Sequence, residues 1–303
     1  MNVRTRDLRV ALAAHPVAWA LARLARYGGP VLRVPGVGLV VNDAMVAHEV
    51  LQRDSTFVKC APGGFSEVVT QLLGPFALAN MDGGAHRRLR GMLGDLLSPA
   101  NAAQLMGGYE ERLAGLRAAL ERGETIDLVR FMRIMSGRLT LEMMGVRPSC
   151  DDADDAALKL IALGDRVTAA LRTRRLSERQ LRSCSREVAQ LVTFARAGYE
   201  SDNAPPSSLV RRLRERGLSF AEAQGVLLVL FVGGTLTTAA ALPRIVALLV
   251  DSGQMAQVQA DPQRIPPAIA EGLRFVTPLP ATIRIASRDA TVGSRRIRAC
   301  ERW

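Results

Sequence analysis

Aromatic residues are scarce in this 303-residue sequence, where Phe, Trp and Tyr together make up 4%. Few rings are therefore available for stacking on nucleic-acid bases, and no RNA-binding or zinc-finger pattern interleaves rings with basic residues. Cysteines are also few and scattered, with no CxxC pair and no histidine cluster near Cys60, Cys150, Cys184 or Cys300. The sequence therefore predicts no nucleic-acid partner, no metal site of protein ligands alone and no disulfide framework, and a reducing cytoplasm suits it.

A signal-peptide core is missing from the N-terminus, where Arg, Asp, His and Pro interrupt every apolar stretch. The first 29 residues instead show the pattern of an amphipathic helix. The uncharged run Ala223 to Pro243 is long enough to span a bilayer, but it contains two adjacent glycines, three threonines and a proline. We expect this run to be a buried helix, so the sequence predicts a cytoplasmic protein with no transmembrane span.

Basic residues exceed acidic ones by 40 to 29, and nearly all of them are arginine, which gives a net charge of +11. Such a field favours an acidic protein, an anionic cofactor, nucleic acid or an anionic membrane surface, and it does not choose among them. Much of the arginine fits a solvated helix surface equally well. The 48% of hydrophobic residues allows a large core, and without a linker that divides the chain we expect one domain over residues 1–303.

Helical periodicity dominates the chain and predicts a mainly α fold with small β-sheet elements. A hairpin is expected over 31–41, then a helix over 43–53 and an irregular segment to about residue 84. Further helices are predicted over 85–97, 99–121, 128–144, 152–171, 177–199, 208–216, 219–250 and 266–275, with a loop over 201–208. The pattern of Ser219 and Glu222 is a capping box, and Pro243 predicts a bend or an early stop. Strands at both ends of the chain are expected to share one sheet.

Two segments of the sequence are candidates for ligand binding. His86 and Arg90 lie four residues apart at the start of a predicted helix, so one face could hold an anionic group. A basic first turn opposes the helix dipole, which favours an anion there over a plain solvated surface. In the long apolar helix, Gly233 and Gly234 each lower helix stability by about 1 kcal/mol relative to alanine. Either the close approach of a flat ligand or tight helix packing would offset this loss.

Three other features of the sequence have a simple structural interpretation when each is taken alone. Thr237 next to the glycine pair can bond back to a carbonyl, where helices open locally at functional sites. Glu271 and Arg274 are three residues apart on one helix, and such pairs usually lie at the surface. Arg284 follows on an alternating segment, and a lone strand arginine is usually exposed.

The order of these features resembles the cytochrome P450 family. A helix with HxxxR, a long helix with GGTLTT at its centre, a helix with ExxR and then a strand with an arginine follow one another as in that family. Two sequence segments match as well. DGGAHRRLRGMLGDLLSP resembles the family's C-helix region, and AIAEGLRFVTPLPATIRIASRDATVGSRRI resembles its K helix and the strands that follow. The resemblance covers essentially the whole chain to residue 298.

The resemblance implies a haem-dependent monooxygenase fold and gives roles to particular residues. His86, Arg90 and Arg284 match the residues that hold the haem propionates, and Gly233 and Gly234 would lie over the haem. Thr237 matches the threonine that directs protons to bound oxygen. The resemblance also makes Glu271 and Arg274 a buried structural pair, and it implies an apolar small-molecule substrate and an acidic ferredoxin-type redox partner.

Two departures from the family pattern bear on activity. Leu236 stands where the family has an acid, and a leucine neither holds water nor relays a proton. The sequence also stops before the glycine-rich loop with the axial cysteine, and Cys300 does not lie in such a motif. The resemblance therefore implies a fold without its C-terminal quarter, with haem binding in doubt and little or no monooxygenase activity. The alternative is a non-catalytic truncated gene product or a helical scaffold or binding protein.

Overall fold

A computed structural model describes residues 25, 27–35, 38–60, 65–96, 98–106, 109–149, 151–171, 176–276 and 281–299. The predicted N-terminal amphipathic helix lies outside the described residues, as do Cys150 and Cys300.

The described chain is mainly helical, as the periodicity predicts. The helices are α1 Ala44–Gln52, α2 Phe65–Leu73, α3 Gly83–Gly91, α4 Pro99–Met106, α5 Glu110–Glu121, α6 Leu128–Met143, α7 Ala153–Leu171, α8 Glu178–Glu200, α9 Leu209–Glu215, α10 Phe220–Leu230, α11 Leu236–Asp251, α12 Met255–Ala260 and α13 Ile265–Phe275. Short 3-10 turns occupy Leu78–Asn80 and Pro262–Arg264.

Strands form three antiparallel two-stranded sheets in the described part of the chain. The pairs are β1 Val31–Val34 with β2 Gly38–Val41, β3 Phe57–Val58 with β4 Ile285–Ala286, and β5 Ala290–Val292 with β6 Arg295–Ile297. The predicted hairpin over 31–41 is confirmed. The predicted sharing of one sheet by the terminal strands holds for β3 and β4, which join an N-terminal strand to a C-terminal one, whereas the other strands of the described residues pair in separate sheets.

Several predicted boundaries differ from the structure. The segment predicted as irregular contains α2, whose apolar residues recur at helical spacing and bury Val68, Val69, Leu72 and Leu73. The helix predicted over 99–121 is two helices, α4 and α5. Of the bend or early stop predicted at Pro243, the early stop does not occur, because α11 continues through it to Asp251. Burial of Ala239, Ala241 and Ile245 around the proline offsets its missing backbone hydrogen bond.

Two compact units contain the described chain. The first combines Met1–Pro62 with Ala241–Trp303, and the second is Gly63–Ala240. In the first unit, a small core of Val31, Phe57, Ala286 and Val292 joins residues from all three sheets. A single domain over residues 1–303 stays a prediction.

The second unit has a large core built by α2 and α6 to α10. Its helices approach closely where one of them offers a glycine. A Cβ atom on Gly137 would lie 2.7 Å from the Ala157 carbonyl oxygen, and one on Gly198 would overlap the carbonyl oxygen of Met144. The glycines on α6 and α8 therefore allow backbone-to-backbone packing that any side chain would prevent.

The predicted capping box starts α10 and is confirmed. The Ser219 hydroxyl accepts a hydrogen bond from the Glu222 amide, and the Glu222 carboxylate accepts one from the Ser219 amide at 3.0 Å. From there, Phe220–Asp251 is the one helical run in the described residues that is long and apolar enough to cross a membrane. Residues Val226, Leu227 and Leu228 are buried in the core of the second unit.

Close packing at Gly198 predicts a large effect of a single methyl group. Gly198→Ala should lower the free energy of unfolding by at least about 2 kcal/mol, because the new methyl meets a backbone oxygen that cannot move aside alone. Gly115→Ala is the matched control, since Gly115 is also helical but has no neighbour within 4 Å of a Cβ atom. It should stabilise by up to about 1 kcal/mol. Urea unfolding of both variants measures the difference, and equal midpoints would contradict the close approach.

Candidate functional site

Helix α3 presents His86 and Arg90 one turn apart on the same face. It starts at Gly83, whose φ of 68° favours glycine, and His86 is half-buried while Arg90 is exposed. The prediction of a basic first turn is wrong, because the helix begins two residues earlier and ends at Gly91. Arg88 and Arg90 therefore lie in its last turn, where the helix dipole favours positive charge. The face remains cationic, but the dipole no longer argues for an anion.

An ion pair joins α3 to the start of α10. Arg88 donates to one oxygen of Glu222, whose other oxygen accepts from the Ser219 amide and hydroxyl. The Glu222 side chain is 13% exposed, so its charge is largely shielded from solvent. Glu222 therefore both caps α10 and holds α3, the helix that carries His86 and Arg90. The sequence pattern did not indicate this second role.

The long helix opens at its centre. Residues Phe231–Thr235 form a single π-helical turn, the π-turn, between α10 and α11. The Thr237 hydroxyl donates to the Gly233 carbonyl oxygen at 2.6 Å, and the Thr238 hydroxyl donates to that of Gly234 at 2.6 Å. The local opening next to these threonines is confirmed, and such π-turns are frequent at functional sites.

The glycine pair in the π-turn is open to its surroundings. Gly233 and Gly234 are exposed, and no described protein atom lies within 4 Å of a Cβ built on either. Gly225 in α10 differs, because its Cβ would lie 2.5 Å from the backbone of Phe76. Tight helix packing therefore explains Gly225 but not the pair. A role of the pair in binding a flat ligand stays a prediction.

Leu236 occupies the position next to Thr237 where the resemblance expects an acid. A Cβ on Gly164 of α7 would lie 3.1 Å from the Leu236 Cδ1 atom and 2.6 Å from Cζ of Phe231. The leucine side chain thus packs on α7 beside a core phenylalanine. A proton relay through this position is unavailable.

A hydroxyl pair links the π-turn to α6, and no feature of the sequence pointed to it. The Thr140 and Thr235 Oγ1 atoms are 2.5 Å apart, and Thr140 also donates to the Ser136 carbonyl oxygen at 2.8 Å. Both threonines are at most 7% exposed. The sequence could indicate only that Thr140 lies at a core position of a helix. Its partner is 95 residues away in the chain, so the sequence does not identify it.

Glu271 and Arg274 are paired as predicted, but the prediction that they are buried is wrong. Two hydrogen bonds of 2.7 and 2.6 Å join them, and their side chains are 61% and 69% exposed. Helix α13 buries Gly272, which packs against Ile245, and at 100° per residue the Glu271 side lies away from that contact. The arginine hydrogen bond holds the pKa of the Glu271 carboxyl below its ordinary value.

Arg284 is not part of a strand, because β4 begins at Ile285 and its partner β3 has two residues. Its guanidinium donates to the Thr282 hydroxyl at 2.9 Å and to the Ile283 carbonyl oxygen at 2.8 Å. Arg284 lies in the first unit, whereas His86 and Arg90 lie in the second. A shared role for the three stays a prediction.

Comparison with known proteins identifies the fold. No model of a known protein family matches the chain, and no curated protein does. Among solved structures, CYP109Q5 from Chondromyces apiculatus matches with a TM-score of 0.73 at 22% identity, over 95% of this chain and 72% of that one. CYP109B1 from Bacillus subtilis gives 0.71 at 23%, over 95% and 75%. P450BioI, solved in complex with an acyl carrier protein, gives 0.77 at 17%, over 95% and 77%.

The chain has the cytochrome P450 fold. The predicted fold class is thereby confirmed, and the 303 residues span about three quarters of the length of these cytochromes P450. The π-turn, the cationic face of α3 and the Glu271–Arg274 pair are features of this chain within that fold. Their roles follow from its own chemistry, since identities of this size establish the fold alone.

Exposure of the Glu271–Arg274 pair leads to a prediction about pH. In Arg274→Gln, the pKa of Glu271 should rise to its ordinary value, measurable by NMR titration. A carboxyl whose pKa is lower in the folded state than in the unfolded state stabilises the folded protein at pH values above the unfolded pKa. This stabilisation is lost as the pH falls through the folded pKa. The variant should therefore lose little stability at neutral pH and none in acid.

The matched control for this pair is Arg182→Gln, which breaks the exposed pair of Glu178 and Arg182. Similar unfolding midpoints of the two variants at neutral pH are expected, because both pairs face solvent. If Arg274→Gln unfolded far more easily than Arg182→Gln, the pair would belong to a buried network.

Proposed function

We propose that this chain belongs functionally with haem monooxygenases, enzymes that oxidise an apolar small molecule, and that the polypeptide of these 303 residues alone has little of that activity. The observation that supports the proposal most is the open glycine pair in the π-turn, set in a chain with the cytochrome P450 fold. Two glycines in a long helix, with no atom of the described chain within 4 Å of a Cβ position, give a flat group access to the backbone. When bound, haem supplies the iron at which oxygen is activated.

The cationic face of α3 supplies the donors for the haem propionates. His86 and Arg90 are one turn apart, and Arg90 offers a planar fork of N–H groups that fits a carboxylate. The ion pair of Arg88 with Glu222 holds this helix against α10. Arg284 is proposed as the third propionate ligand on the resemblance alone.

Thr237 is the residue proposed to act on a proton. Its single hydroxyl proton is engaged by the Gly233 carbonyl oxygen, so in this arrangement the oxygen can accept a hydrogen bond but not donate one to a ligand. Donation requires that the backbone bond be released. Because Leu236 offers no acid beside it, we propose that proton delivery in this site is slow.

The 303 residues alone provide a poor thiolate ligand. Burial and then the charge of Glu187 raise the pKa of the Cys184 thiol, which keeps it protonated, and the sequence around the exposed Cys60 does not match the axial-cysteine loop that the resemblance expects. We therefore propose that the polypeptide of these residues alone has little or no monooxygenase activity.

A second candidate function is a non-catalytic binding protein. The observation that favours it is Leu236, which packs on α7 at Gly164 where proton relay would need a polar group. Such a protein would hold a flat or apolar ligand at the π-turn without oxygen chemistry. Haem uptake without thiolate ligation is the outcome that it predicts.

Partners and location are proposed from charge and fold. The net charge of +11 suits an acidic ferredoxin-type redox protein, and a cytoplasmic location suits the scattered cysteines. P450BioI was solved with an acyl carrier protein that carries hexadec-9Z-enoic acid, so a carrier-bound acyl chain is the first apolar substrate class to test.

Haem titration of two valine variants tests the role of the glycine pair. Gly234→Val should weaken haem binding at least about ten-fold, because the branched side chain fills the space beside the backbone. Gly115→Val is the control, as it places the same side chain in an open helical position of α5. Equal affinities for both variants would remove the main support for the proposal.

A carbon monoxide difference spectrum tests the proposed inactivity. The reduced protein, reconstituted with haem, should show no stable thiolate-type Soret band, because the described cysteines are buried with a raised pKa or lie outside a ligand loop. A stable band of that type would show that one of the four cysteines reaches the iron, and single Cys→Ser variants would identify it.

A further inference from the structure

Threonines near the π-turn use their hydroxyl groups in two ways. Thr237 and Thr238 bond back to carbonyls of their own helical run, four residues earlier. Thr235, the last residue of the π-turn, instead bonds across to Thr140 on α6. This bond joins an irregular turn to a regular neighbouring helix.

The direction of the hydrogen bonds follows from the number of protons. The Ser136 carbonyl oxygen can only accept, so the single hydroxyl proton of Thr140 goes to it. The Thr140 oxygen is then the acceptor for Thr235. A directed chain results, from Thr235 through Thr140 to the Ser136 carbonyl oxygen of α6, and all three residues are at most 7% exposed.

The position of Thr140 is fixed independently of this bond. Helix α6 packs on α7 at Gly137 and Ala157, and α7 packs on the π-turn where Gly164 meets Phe231. The hydroxyl bond closes the third side of this triangle. One of the other two sides is a backbone contact at Gly137, and the other is the Phe231 ring packed on the backbone at Gly164. Thr140 therefore offers its oxygen at a set place to which Thr235 is held.

We propose that Thr140 is a positioning residue that keeps the π-turn open through the hydroxyl of Thr235. A π-turn is rare compared with continuous α-helix, so we expect tertiary contacts such as this hydroxyl bond to stabilise it. With Thr235 held by α6, the carbonyl oxygens of Gly233 and Gly234 stay bonded to Thr237 and Thr238, and the glycine pair faces outward. The inference rests on the proposed function only for the ligand that the open turn serves.

Hydrogen exchange of the full chain without haem tests the inference directly. Thr140→Val keeps the shape of the side chain and removes the acceptor of a buried hydroxyl. We expect the amides of residues 231–238 to exchange about ten-fold faster, while those of α8 keep their rates. Thr140→Ser retains the hydroxyl and should restore slow exchange.

The matched control is Thr193→Val. Thr193 lies on α8 and its hydroxyl bonds back to the Ala189 carbonyl oxygen at 3.0 Å, without a second helix. It should leave the exchange of residues 231–238 unchanged. Should Thr140→Val fold poorly, Thr235→Val and Thr235→Ser test the same bond from its other end, with the same expected contrast.

Three results would overturn the role of Thr140. These are unchanged exchange at residues 231–238, faster exchange spread evenly over the second unit, and a local increase that the serine variant does not reverse. Haem titration separates this inference from the proposed function. If the unmodified chain takes up no haem, the proposed function fails while the exchange data still decide the role of Thr140. If it does, Thr140→Val should bind haem more weakly than Thr193→Val.

Discussion

The contact between Phe231 and Gly164 constrains the centre of the long helical run. The ring is 1% exposed, and its Cζ atom would lie 2.6 Å from a methyl group on that glycine. Because Phe231 begins the π-turn, this contact holds the helix against α7 at the residue where its regular hydrogen bonding ends. Leu236, the first residue of α11, packs on the same glycine. The residue that begins the π-turn and the residue that follows it therefore both contact α7 at Gly164. The backbone between them is left facing outward.

Glycine serves two opposite purposes in the second unit. Gly137, Gly198 and Gly225 let backbones of neighbouring elements touch, and each would meet protein atoms within 3 Å if it gained a Cβ. Gly233 and Gly234 have no atom of the described residues within 4 Å of a Cβ position. Glycine thus allows close packing in the core at some positions and leaves the backbone exposed at others. Only the neighbouring residues distinguish the two cases. This contrast supports the proposed ligand site more strongly than the motif does.

Several arginines form ion pairs with acidic residues of the chain itself, so the abundance of arginine does not require a partner protein. Asp154 on α7 accepts hydrogen bonds from Arg112 and Arg138 at 2.6 Å each, which links three helices. Arg216 and Asp95 form two hydrogen bonds, and the pKa of that carboxyl falls to about 2 because of them. Such exposed pairs stabilise little individually. The net charge of +11 therefore remains compatible with an acidic partner but does not by itself indicate one.

Local sequence patterns were enough to predict the helical class, the capping box at Ser219 and the order of motifs that resembles the cytochrome P450 fold. These are local patterns, readable because caps and periodicity involve residues a few positions apart. Tertiary structure alone decided that the Glu271 pair is exposed, that Leu236 packs on α7 and that Thr235 bonds to Thr140. Exposure, open space and hydroxyl partners depend on which helices come together, and contacts between residues far apart in the chain have no local signature in the sequence.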